Sequence, residues 1–188
     1  VDSGRALRRP ALAPALAAPL PLTASDPRRI ATDLANPALG GADEREWLAM
    51  FNEPFLAHGL EPLAMEEGAG PCSDRIKVDA VPVHSAEAKV TVVVTAWQPD
   101  VGLLSAVGSL LAQTWTNLEI IIVDDASPES FMPLFDACER LDPRIRVIHH
   151  ETNQGTYGAR NTAMAAATGE FLTFQDSDDF SHPRRIGR

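Results

Sequence analysis

Between Lys89 and Asp179 the chain alternates two kinds of segment, and this alternation limits its fold more than any other feature. "KVTVVVTAW" (89–97) is nearly continuous in Val, the pattern of a strand buried on both faces. "DVGLLSAVGSLLAQTW" (100–115) follows, with Leu103, Leu104, Val107, Leu110 and Leu111 at helical spacing. "LEIIIVDDAS" reads as a second buried strand. "SPESFMPLFDACERL" reads as a second helix, with Ser127 suited to its N-cap and Pro128 to its first position. "RIRVIHH" is a third strand, and "GTYGARNTAMAAATG" a third helix stopped by Gly169. "EFLTF" is a fourth strand, delivering "QDSDD". Strands alternating with helices fold as an α/β layer structure with a parallel sheet and right-handed crossovers.

Upstream of Lys89 this pattern is missing. Residues 1–41 are rich in Ala, Pro and Arg with no sustained period, and a disordered leader is expected there. "PALAPALAAPLPL" (10–22) follows Arg8 and Arg9, as a signal peptide would, but four prolines interrupt it and no cleavage site of the right context follows. "ADEREWLAMFNEPFLAHGL" (42–60) places Trp47, Leu48, Phe51, Phe55 and Leu56 at helical spacing behind Asp43 and Glu44. Pro54 is expected to kink or divide that helix. Residues 42–88 therefore read as a helical appendage and linker, and 89–188 as a sheet domain. The chain opens on Val and closes on "RRIGR", so a fragment of a longer protein is expected.

Charge and composition exclude some partners. A net charge of −10 argues against a broad nucleic-acid surface or an anionic membrane surface. No apolar run reaches the ~18 residues of a membrane span. Cys72 and Cys138 are far apart without metal-ligand spacing, which suits reduced thiols in a cytoplasmic protein, free or peripherally attached to a membrane.

In a parallel sheet, ligands bind beyond the carboxyl ends of the strands. The polar residues at those ends are Thr95 to Gln98, Asp124 and Asp125, and Asp176 to Asp179, so one edge carries them all. Asp176 and Asp178, two apart, point the same way in extended backbone. Hard divalent cations take such oxygen ligands, and their charge offsets the repulsion between neighbouring carboxylates. A solvated acidic turn is the ordinary reading of a bare D-x-D. A position directly after a buried strand, level with a second Asp pair, makes the cation reading more specific. Arg160 is either a cation for a diphosphate or a surface arginine. Gly155 would let the helix N-terminus approach phosphate. His149 and His150 have no third ligand at zinc spacing and read as strand-end packing. His182 reads as a loop residue beside the acidic cluster. Trp97 either closes a pocket rim by stacking or packs in the core.

Taken in order, "VTVVVTAWQ", "SLLAQTWTNLEIIIVDDAS" and "NQGTYGARNTAMAAATGEFLTFQDSDD" resemble the nucleotide-binding half of the inverting family 2 glycosyltransferases, over about Lys89 to Ile186. The resemblance implies a Rossmann-like GT-A sheet and a nucleotide-sugar donor. Thr95, Ala96 and Trp97 would line the nucleoside pocket, and Asp124 with Asp125 would hold the base or ribose. Arg160 would approach the nucleotide. Asp176 and Asp178 would hold Mn²⁺ or Mg²⁺, with Ser177 also against the donor. The acceptor, a glycan, a lipid or a protein, stays open, as does the choice among UDP, GDP, CDP and dTDP.

The sequence departs from the family pattern at several points. Thr95-Ala96-Trp97 replaces the more usual Pro-Thr-Tyr, Ala126 and Ala163 stand where Gly is common, and Gln175 replaces an apolar residue. The general base is expected beyond Arg188, which makes this chain a donor-binding half, inactive or crippled alone. A non-catalytic nucleotide-binding or interaction module is the alternative from another class. A receiver domain would need a Lys beyond its acidic strands, and none follows Lys89. A sugar-nucleotide pyrophosphorylase would open with a Gly-rich loop where this chain has "TAWQPDVG".

Overall fold

A computed structural model of the chain describes residues 31–68, 72–78 and 87–187. The chain divides into two compact units, Val1–Arg75 and Ile76–Arg188. Residues 1–30, which hold most of the expected leader, lie outside the described residues. Residues 31–34 are helical, and Pro37–Leu39 form a 3-10 turn with the Asn36 side chain accepting from Ala38 N.

In the first unit, α1 (Glu44–Ala57) starts at Asp43, whose carboxylate accepts from the N–H groups of Arg45 and Glu46, both at 2.9 Å. Those are orphan donors of the first helical turn, so the acidic start does what capping requires. Of the expected kink or division at Pro54, division does not occur: the helix runs through it. Trp47 stacks on Phe51 with ring centroids 5.1 Å apart, and Phe51 meets Phe55 at a tilt, 5.9 Å apart, a contact that spans the turn with the missing N–H. Asn52 is buried and exchanges two bonds of 2.8 Å with the backbone of Leu63 in the short strand β1 (Leu63–Met65). A single turn α2 (Cys72–Arg75) presents the Arg75 guanidinium to the Glu44 carboxylate.

The second unit opens with the short strand β2 (Ile76–Val78) and then follows the expected alternation. Its elements are β3 (Val90–Ala96), α3 (Gly102–Leu111), β4 (Leu118–Asp124), α4 (Met132–Leu141), β5 (Ile145–His149), α5 (Gly155–Ala166) and β6 (Phe171–Asp176). The four longer strands pair in the order β5-β4-β3-β6, all parallel. On one face Val92, Val94, Ile120 and Ile122 pack with Leu103, Val107 and Leu110 of α3 and Phe135 and Cys138 of α4. On the other, Val93, Ile121 and Val123 pack with Ala159 and Ala163 of α5, and Leu172 and Phe174 lie against them. The two central strands are thus buried on both faces, which is why they carry no polar alternation. Each fully buried Val or Ile contributes roughly 1.5–3 kcal/mol. Burial holds the Cys138 thiol up at about 11, and both cysteines are free. No described helix is long and apolar enough to cross a membrane.

Two expected helix ends are corrected. Ser127 does not cap a helix: a 3-10 turn (Glu129–Phe131) precedes α4, and Ser127 Oγ accepts from Gln98 N at 2.8 Å instead. Helix α5 ends at Ala166, ahead of Gly169. Gly169 is required for another reason, because a Cβ there would meet Thr91 N at 2.6 Å. Its N–H donates to Thr91 Oγ1 at 3.0 Å, and Glu119 braces the same junction by accepting from Thr91 Oγ1 at 2.7 Å and Thr168 N at 2.8 Å. Gly169→Ala should therefore lower stability by about 1–3 kcal/mol. Gly108→Ala, on α3 with open space around it, should raise it by roughly 0.5–1 kcal/mol. Urea unfolding of the two variants beside the parent checks both signs.

Candidate functional site

The register of the sheet places the strand ends side by side. Thr95 lies between Val123 and Asp176, Ala96 opposite Asp124, and Asp124 opposite His149. The ladder continues past the strands, with Asp125 N donating to Ala96 O and His150 N to Asp124 O, both at 2.9 Å. All the expected site residues except Arg160 therefore stand at one edge of the sheet or in the turns directly beyond it, and Arg160 reaches that edge from α5. Alternation divides them between faces: Asp124 follows Ile120 and Ile122 toward α3 and α4, whereas Thr95 and Asp176 follow Val93 and Phe174 toward α5. Trp97, just past β3, is 56% exposed, which removes it from the core. Gln98 (φ 49°) and Ala126 (φ 64°) both adopt the left-handed region in the loops after β3 and β4. Such backbone costs roughly 1–2 kcal/mol for a residue with a Cβ, and it accounts for the glycine preference at the Ala126 position.

Asp124 and Asp125 are buried, at 1% and 4% exposure, and both are satisfied from within the chain. Asp124 Oδ1 accepts from Ser127 N at 2.9 Å, and its Oδ2 lies 2.9 Å from His149 Nδ1. The His149 ring meets Phe135 edge-on, 5.6 Å between centroids. Asp125 Oδ1 accepts from Gln154 N and from His150 Nδ1, both at 2.8 Å, and Oδ2 from Gly155 N at 2.7 Å. Its main-chain oxygen accepts from Asn153 Nδ2 at 3.1 Å, and His150 Nε2 bonds Thr162 Oγ1 at 2.8 Å. Burial by itself would push the Asp125 carboxyl up. The backbone N–H of Gln154, the His150 ring and the N–H of Gly155 together outweigh burial and hold it below the usual carboxylate range. Asp125 is therefore an ionised bracket that seats the start of α5 against the end of β4. The histidines, expected as packing residues, are partners of the two aspartates. The signal was present in the sequence as His149-His150 and Asp124-Asp125, two consecutive pairs ending successive strands.

The acidic turn differs from expectation in its backbone. Strand β6 stops at Asp176, and Ser177 and Asp178 turn away, closed by Asp179 N donating to Asp176 O at 3.2 Å. Strand alternation thus does not relate Asp178 to Asp176. Asp176, Asp178 and Asp179 are exposed, and Ser177 is half-buried. Arg160, on α5, lies over the Phe174 ring with 4.9 Å to its centroid and donates to Asp176 Oδ1 at 3.2 Å. The Asp179 carboxyl is pushed up, first by desolvation and then by the charges of Asp176 and Asp178, with Arg185 opposing. Among the described residues no group of three His, Cys, Asp or Glu stands preassembled around a metal position. The turn instead offers exposed carboxylate oxygens that repel one another, a donor set that fits a hard divalent cation sharing its shell with ligand oxygens. His182 lies in a loop beyond the acidic turn, as expected, but is buried there, with its carbonyl accepting from Gln113 Nε2 at 2.9 Å.

Because the Asp125 carboxyl is depressed, its stabilisation is fully present above the ordinary carboxylate range and is lost as pH falls through its folded value. Asp125→Asn should lower stability at pH 7 by about 1–3 kcal/mol, from the hydrogen bonds lost. It should also flatten the fall in stability below about pH 4. Urea unfolding across a pH series checks both.

The family model described as glycosyl transferase family 2 matches residues 91–188. Glycosyltransferase GlyG of Streptococcus pneumoniae serotype 4 is 39% identical over 90 residues, 48% of this chain and 30% of its own length. The Escherichia coli UDP-Glc:alpha-D-GlcNAc-diphosphoundecaprenol beta-1,3-glucosyltransferase WfgD is 34% identical over 90 residues, 48% of this chain and 35% of its own. Among solved structures, S. aureus TarS in complex with UDP is similar with a TM-score of 0.48 and 29% identity, over 53% of this chain and 30% of that one. The chain thus spans only 30% to 35% of the length of the two sequence relatives. With more than half its residues inside the match, the chain belongs to glycosyl transferase family 2.

Proposed function

We propose that residues 89–188 bind the nucleotide-sugar donor of a glycosyltransferase, at the carboxyl edge of the parallel sheet. The observation that carries this reading is the register, which sets Ala96 opposite Asp124 and Thr95 opposite Asp176, so that three adjacent strands bring polar residues to one level at their ends. Family membership supports it. The name of the E. coli relative specifies UDP-Glc as donor and a lipid-linked diphosphate acceptor. For this chain the reading extends to a nucleoside-diphosphate sugar and to an acceptor among glycans, lipids and proteins.

Each residue then has a physical task. The exposed Trp97 ring, with Thr95 and Ala96 beside it, offers a face for the nucleobase. Asp124, held rigid by Ser127 and His149, would use the lone pairs those two bonds leave to accept from base or ribose donors. Asp125 keeps the α5 N-terminus in place. Asp176 and Asp178 supply carboxylate oxygens for Mn²⁺ or Mg²⁺, with Ser177 between them. Bound there, the cation would neutralise negative charge on the departing diphosphate. Arg160, beside Asp176, adds a second positive charge to the same side. In the transfer, the bond from the anomeric carbon to the diphosphate oxygen breaks and the acceptor oxygen bonds the opposite face of that carbon, inverting it. The acceptor proton passes to a general base that no residue of this chain is assigned to provide.

Calorimetric titration with UDP, GDP, CDP and dTDP, each with and without Mn²⁺, tests the reading. One nucleotide should bind in a Mn²⁺-dependent way. The Asp176→Ala, Asp178→Ala double variant should lose at least tenfold in affinity, about 1.4 kcal/mol. Equal binding by parent and double variant, both folded, would exclude the acidic turn from the donor site.

A further inference from the structure

Gln175 precedes Asp176 on β6 and, by strand alternation, faces the opposite way, toward α3. It is 5% exposed. A buried primary amide carries two N–H donors and an acceptor oxygen that must all find partners. Here Nε2 donates to Ala106 O on α3 at 3.0 Å and to Asp179 O at 3.1 Å, with Ser109 Oγ at 3.4 Å. Oε1 accepts from Ser181 Oγ and from an Arg185 guanidinium nitrogen at 3.2 Å. One side chain therefore joins the helix to the far side of the acidic turn. Ser109 Oγ accepts from Ser181 N at 3.0 Å, and Arg185 reaches Phe174 O at 2.6 Å, so the chain leaving the turn is held at several points.

The direction of these bonds is informative. An apolar side chain would fill the same space without needing partners, and burying an amide is favourable only when its bonds are made. The bonds go to the turn that carries Asp176 and Asp178. Gln175 itself faces away from the ligand side of the strand, so any effect on a ligand passes through the backbone.

We propose that Gln175 is a positioning residue: its buried amide fixes the turn from Asp176 to Asp179 against α3, in a shape that keeps both carboxylates ready for a divalent cation. The inference rests on the reading of Asp176 and Asp178 as cation ligands. A turn already ordered by Gln175 would spare an arriving cation the ordering cost. Residues that orient ligating groups in this way typically change metal affinity by about 10–100-fold.

The test is Mn²⁺ binding, followed by the electron paramagnetic resonance signal of the free ion, with circular dichroism to follow unfolding. Parent, Asp178→Asn, Gln175→Leu and Ser181→Ala chains are compared. Parent should bind Mn²⁺, Asp178→Asn should abolish binding, and a folded Gln175→Leu should bind about tenfold more weakly. A folded Gln175→Leu with parental Mn²⁺ affinity overturns the proposal, even if its unfolding midpoint shifts, because that marks a merely structural role. If Gln175→Leu does not fold, Ser181→Ala decides: it removes one partner of the amide oxygen, so weaker Mn²⁺ binding supports the proposal and parental binding overturns it. Failure of the underlying reading looks different. Mn²⁺ binding absent from the folded parent, or unaffected by Asp178→Asn, removes the acidic turn as a cation site, and the inference falls with it.

Discussion

Strand β3 is hydrogen-bonded on both sides, to β4 along its whole length and to β6 along all but its last residue. The rest of the site depends on this pairing. Parallel strands end on the same side, so a central strand in register with two neighbours forces three chain segments to finish at one level. A slip of one residue in β6 would send Asp176 to the α3 face and Gln175 to the α5 face. The Arg160–Asp176 contact and the amide network around Gln175 would be lost together. Apolar burial on both faces of the central strands makes such a slip costly, because it would bring polar residues into the interior. The core thus protects the register, and the register positions the polar edge.

At that edge the carboxylates are treated in two opposite ways. Asp124 and Asp125 are buried and taken up by backbone and imidazole partners, so their geometry is set before any ligand arrives. Asp176, Asp178 and Asp179 are exposed and crowded, with Asp179 pushed up by desolvation and the charges of the other two. Arg160 and Arg185 relieve only part of that repulsion. The first group builds a rigid frame. The second keeps negative charge available to a cation, within a chain that already carries a net −10. Preorganised brackets beside partly compensated charge suit the proposed site, which would hold a metal–diphosphate pair and later release it.

The sheet and the location of its polar edge were legible from pattern alone, because buried parallel strands write their burial into continuous Val and Ile runs. Donor and acceptor geometry was not legible. His149 and His150 read as packing because the matching pair, Asp124 and Asp125, lies 25 residues away at the end of a neighbouring strand, so neither pair taken alone shows its partner. Ser127 looked like a helix cap because its neighbours favour one, yet the loop after β3 takes its hydroxyl first. The two-residue spacing of Asp176 and Asp178 suggested one face only while the strand was assumed to continue, and it turns at Ser177. Gln175 registered as a departure from an apolar position. Its purpose emerges only when Ala106, Asp179, Ser181 and Arg185 are brought together in space. Pro54 stays inside α1, where the Phe51 and Phe55 rings meet across it.

The central claim is that one sheet edge holds both the base and the diphosphate of a nucleotide-sugar donor. Anomalous diffraction at the manganese absorption edge, from crystals of this chain grown with Mn²⁺ and the nucleoside diphosphate it binds, tests that claim most directly. The account predicts a manganese peak in coordination contact with Asp176 and Asp178, diphosphate oxygens on the same ion, and the base between Trp97 and Asp124. A nucleotide bound away from the ends of β3, β4 and β6, or a manganese peak on other carboxylates, would contradict it.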